Sequence, residues 1–81
     1  MKAKIAVATL SGKAYYLLVN ELKARGLDFL SLIPNDNIPL EIEVVITTDK
    51  ERRLIKHPRI LMYESEQEPS EVVEQALRVL Q

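Results

Sequence analysis

The sequence predicts a single α/β domain of three layers: a four-stranded, mainly parallel sheet in the order 2-1-3-4 with three helices on its two faces. Three observations carry this expectation. Residues 3–9, "AKIAVAT", form an almost unbroken apolar run, as a strand covered on both faces requires. Apolar runs of strand length then alternate with stretches of helical periodicity, the pattern that gives a parallel sheet with helical crossovers. Finally, 81 residues suffice for one domain, and 47% apolar with 28% charged residues fits a packed core rather than disorder.

Each element has its own local reason. The first strand covers residues 3–9. From Ser11 a helix is expected, because Ala14, Tyr15, Leu18 and Leu22 recur at helical spacing, with Lys13, Asn20, Glu21 and Lys23 at polar positions. Lys23 and Arg25 suit its negative end, and Gly26 is placed to terminate it. A second strand runs from Leu27 to Ile33 and stops at the turn-forming "PNDN".

The third strand is "IEVVITT", residues 42–48. Thr48 followed by Glu51 reads as a capping box opening a short helix, with Leu54 and Ile55 inward and Pro58 ending it. "RILMY", residues 59–63, is the fourth strand. Pro69 then opens a last helix whose apolar face is Val72, Val73, Ala76, Leu77 and Leu80. The expected core is Ile5, Val7, Leu18, Leu22, Val45, Ile46, Leu61 and Leu77.

The tight place is "PNDNIPLE", which must return the chain to the start of a parallel third strand. Such a segment spans at most about 26–29 Å when extended, against about 17–20 Å for a strand. A parallel crossing fits, with an antiparallel third strand as the alternative. The architecture is that of a Rossmann-like or flavodoxin-like half.

Composition narrows the function classes. A net charge of −1 gives no global attraction to nucleic acid or anionic membranes, so such binding has to be local. The absence of cysteine excludes thiolate metal sites and cysteine nucleophiles, and the single His57 excludes a multi-histidine metal site. The N-terminal apolar run is too short for a signal peptide or membrane span and is interrupted by Lys13, so a cytoplasmic protein is expected, with no membrane partner. No cofactor is implied.

In an open parallel sheet, ligands sit beyond the carboxyl ends of the strands where the strand order reverses. Here that point lies between strands one and three, where "TLSGK" and "TTDKE" meet. Thr9, Ser11, Gly12, Lys13, Thr47, Thr48 and Asp49 are the candidate ligand residues, offering hydroxyls, helix-terminal amides and one ammonium for a phosphate. Neither a Walker A loop nor a dinucleotide fingerprint is complete, since Val7 and Ala14 stand at two Walker positions and the chain has only two glycines. The plainer reading makes Ser11 a helix cap and Gly12 a turn residue.

Catalysis is not expected. Ser11 has no evident base, and no nucleophile, base and orienting group come together in the sequence. Lys50, Arg52, Arg53, Lys56 and Arg59 form a basic block that reads either as a phosphate-contacting patch or as a solvated helix face. Glu64, Glu66, Glu68, Glu71 and Glu74 follow as an acidic block. Opposite blocks of this kind can also pair between chains, which makes a homodimer a third reading.

Taken together, "MKAKIAVATLSGKAYYLLVNELKARG", "IPNDNIPLEIEVVITT" and "EPSEVVEQAL" resemble the short N-terminal domain of uncharacterised archaeal proteins that carry a downstream RNase H-like segment, similar to Holliday-junction resolvases. The resemblance implies a cytoplasmic accessory or substrate-positioning module with nucleic acid as a partner. Its nuclease residues would lie downstream, so no catalytic residue carries over. The heavy charge, few glycines and lack of cysteine are compatible with a thermophilic source. The leading functional expectation is a module that binds a phosphate-bearing ligand, a nucleotide or a nucleic-acid backbone, at the carboxyl ends of strands one and three. The alternative is a protein-interaction or dimerisation domain without a small-molecule ligand.

Overall fold

The computed structural model describes residues 3–64 and 66–80. Its elements are β1 (Ile5–Ala8), α1 (Gly12–Ala24), β2 (Phe29–Leu32), β3 (Val44–Thr47), a 3-10 turn (Arg52–Leu54), β4 (Ile60–Met62) and α2 (Pro69–Leu80). The sheet has the order β2-β1-β3-β4, and all three pairings are parallel. The third strand is therefore parallel, and residues 33–43 supply enough chain to return it. Each strand is shorter at both ends than its apolar run, because flanking residues leave the ladder for the loops.

Helix α1 is fixed at both ends by its sequence. Ser11 is the N-cap and its Oγ accepts the Ala14 amide at 3.3 Å. At the other end Gly26 has a φ of 68°, and its amide donates to the Lys23 carbonyl while Leu27 donates to the Leu22 carbonyl, both at 3.0 Å. This is a Schellman closure, and Leu27 packs on the same core as Leu22.

The layering departs from expectation. Both α-helices cover one face of the sheet, where Leu18, Leu22, Val72, Val73 and Ala76 pack on Ile5, Val7, Val44 and Ile46. The opposite face, formed by Ala6, Ala8, Val45 and Ile42, is covered by Ile55 and flanked by Leu30, Leu32, Ile38 and Ile60. Loops and the 3-10 turn do there what a third helix was expected to do, so the described residues form two α-helices, not three. The basic stretch between β3 and β4 carries too few apolar residues to bury a helical face, and only Ile55 reaches inward. Leu54, expected inward, is 40% exposed, whereas Ile55 is 7% exposed. Of the expected core, Ile5, Val7, Leu18, Leu22, Val45 and Ile46 are buried, while Leu61 and Leu77 are half-buried against it.

Candidate functional site

The carboxyl ends of β1 and β3 meet around one side chain, Glu51, which is 7% exposed. The Thr9 hydroxyl donates to its Oε1 at 2.7 Å. The Thr48 hydroxyl donates to the same oxygen, and the Leu10 amide donates to Oε2. Burial works to raise the pKa of this carboxyl, but hydrogen bonds from Thr48, Thr9 and the Leu10 amide, helped by the charge of Lys50, outweigh it and hold the group below its usual value. The carboxylate is therefore kept ionised and knits two loops together.

This geometry replaces the expected capping box. Thr48 donates its hydroxyl to the Glu51 side chain instead of accepting the Glu51 amide, which bonds to the Thr48 carbonyl at 3.1 Å. Thr9 acts in both directions, since its Oγ also accepts the Ser11 amide at 3.1 Å. The amides of Leu10, Ser11 and Ala14 thus have acceptors inside the protein. Among the described residues, those of Gly12 and Lys13 are the donors this turn leaves to solvent.

The expected ligand residues divide accordingly. Ser11, Lys13, Thr48 and Asp49 line one open cleft of about 590 Å³, together with Lys50, Glu64 and Glu66, with Ala14, Leu17 and Tyr63 as its apolar wall. Thr9 is engaged with Glu51. Gly12 is the first residue of α1, and a side chain there would meet open space. Thr47 faces no cleft: it is fully buried, and its hydroxyl donates to the Ala8 carbonyl at 2.6 Å, tying β3 to β1. Burial pushes the Tyr63 phenol up, with the Glu68 charge adding to it, so this wall of the cleft stays neutral.

The five residues of the basic block are all exposed. They do not share one helical face, because the 3-10 turn ends at Leu54 and Lys56 lies beyond it. Among the described residues no group of three or more His, Asp or Glu side chains is placed to hold a metal ion. None of the described helices is long and apolar enough to cross a membrane.

Residues 4–80 match the family model described as response regulator receiver-like domain. The chain belongs to the receiver-like domain family. Its parallel sheet in the order β2-β1-β3-β4 agrees with that membership, and the family is not one of catalytic enzymes. The match says nothing of an RNase H-like segment or of archaeal origin. No curated protein and no solved structure matches the chain. For a receiver-like domain, the feature that sequence reasoning missed is Glu51: its capping-box position gave the only signal, and the far partners Thr9 and Leu10 lie 42 and 41 residues away.

Proposed function

We propose that this receiver-like domain is a non-catalytic protein-interaction module in which the Glu51 carboxylate, beside the open cleft, already takes up the Leu10 amide and the Thr9 and Thr48 hydroxyls. The observation that carries this reading is the set of three donors on Glu51. A phosphate approaching the β1 and β3 loops meets a buried, ionised carboxylate already holding the Leu10 amide, and like charge opposes its entry. That places the interaction reading ahead of the phosphate-ligand reading.

The family description also raises phosphoryl acceptance, for which Asp49, exposed just after β3, is the aspartate on a cleft that also carries Glu64 and Glu66. Incubation with acetyl phosphate and Mg²⁺, followed by intact-mass measurement, tests the proposal. No phosphoryl addition is expected. A stoichiometric mass gain of one phosphoryl group mapping to Asp49 would overturn it in favour of a phosphoryl-accepting domain.

A further inference from the structure

The two charge blocks flank β4, and β4 is an edge strand. Its hydrogen bonds to β3 use one parity of residues. The Val45 amide donates to the Arg59 carbonyl at 3.0 Å, and the Tyr63 amide donates to the Thr47 carbonyl at 2.8 Å. Leu61 shares that parity, so the amides and carbonyls of Ile60 and Met62 point away from the sheet. These backbone groups form a template for one more strand.

The ends of this edge carry opposite charge. Arg59 is exposed at its start, with Lys56 before it, and Glu64 is exposed at its end, with Glu66 beyond. Among the described residues no ion pair joins the basic block to the acidic block within the chain, since the ion pairs present are Lys4–Glu43, Arg25–Glu21 and Arg25–Glu74. An antiparallel copy of the same strand reverses the order of charges. It brings the Arg59 end of one chain to the Glu64 end of the other, twice, about a two-fold axis.

The other sheet edge lacks this property. The exposed charges flanking β2 are both acidic, Asp28 just before it and Asp36 in the turn beyond it, so antiparallel self-pairing there brings no opposite charges together.

Resting on the interaction reading above, we propose that the partner of this domain is a second copy of the chain, joined β4 to β4 in an antiparallel arrangement that continues the sheet. In the register that sets Ile60 opposite Met62 of the second copy, both outward-pointing residues exchange backbone hydrogen bonds. The same register places half-buried apolar side chains against each other and Arg59 beside the Glu64 end.

Sedimentation equilibrium over a concentration series at low and high salt tests this. A monomer–dimer equilibrium weakened by salt is expected. Arg59→Glu and Glu64→Arg, both at exposed positions, should each raise the dimer dissociation constant about tenfold or more, and the double reversal should restore it. Met62→Pro, which removes an outward amide without touching the β3 ladder, should also dissociate the dimer. A chain that stays monomeric at every concentration overturns the proposal, as does a dimer that the single reversals leave unchanged. Neither result bears on Glu51, whereas phosphoryl addition at Asp49 would defeat the underlying reading whatever the oligomeric state.

Discussion

The hydroxyl of Thr9 donates to the carboxylate of Glu51 at 2.7 Å, joining the loop after β1 to the loop after β3 across 42 residues of sequence. Thr48 and the Leu10 amide complete the set, so one buried side chain sets the spacing of the two loops that any ligand at this edge would have to enter. Glu51→Ala should destabilise the fold by about 1–3 kcal/mol, because it leaves two hydroxyls and an amide without their acceptor. Denaturant unfolding measures this, and an unchanged midpoint would show that the network contributes nothing.

The same carboxylate makes stability depend on pH with a definite sign. Its pKa is lowered in the folded state from an ordinary value of 4.5. Its contribution is therefore fully present above that value and is lost as pH falls through the lower folded-state value. Melting temperatures of the wild type should fall between pH 5 and pH 2 more steeply than those of Glu51→Gln. Parallel curves would argue against an ionised Glu51.

Adjacent residues in the β3–β4 connection should respond very differently. Ile55→Ala removes a buried side chain and should cost about 2–5 kcal/mol. Leu54→Ala removes one that is 40% exposed and should fall near the ±0.5 kcal/mol typical of surface changes. Equal losses at the two positions would mean that the connection packs as an amphipathic α-helix after all.

Gly26→Ala should destabilise by about 1–2 kcal/mol, since a residue with a side chain is strained at its φ of 68° although space for the Cβ is open. Ser11→Ala should cost about 0.5–2 kcal/mol through loss of the α1 cap. Both effects are intrinsic to the fold and should appear without any ligand in thermal melts.

The parts legible in the sequence were those set by local chemistry. Ser11 and Gly26 delimit α1 because cap and turn preferences act within a few residues, and the apolar runs locate the strands because burial on two faces leaves no polar position. The strand order follows from parallel crossovers. The missing third helix was not legible, because Thr48 and Glu51 have the spacing of a capping box and only tertiary contacts redirect the Glu51 carboxylate to Thr9 and Leu10. Thr47 was misread for a related reason: a threonine at a strand end has the same chemistry whether it faces a cleft or bonds a neighbouring strand, and its bond to the Ala8 carbonyl exists only once β1 and β3 are paired. Ser11, Lys13, Thr48 and Asp49 gather at one cleft because loops after parallel strands meet at one edge of the sheet, and Lys50, expected only in the basic block, joins them there.

In the proposed function, Glu51 already holds the Leu10 amide and the Thr9 and Thr48 hydroxyls against an incoming anion. Amide spectra of the labelled wild-type protein, titrated with inorganic phosphate at constant pH and ionic strength, test it most directly. The Leu10 and Ser11 amides should stay where they are up to a large excess of phosphate. Saturable shifts at Leu10, Ser11, Gly12 and Lys13, with matching shifts at Thr48 and Asp49, would contradict it.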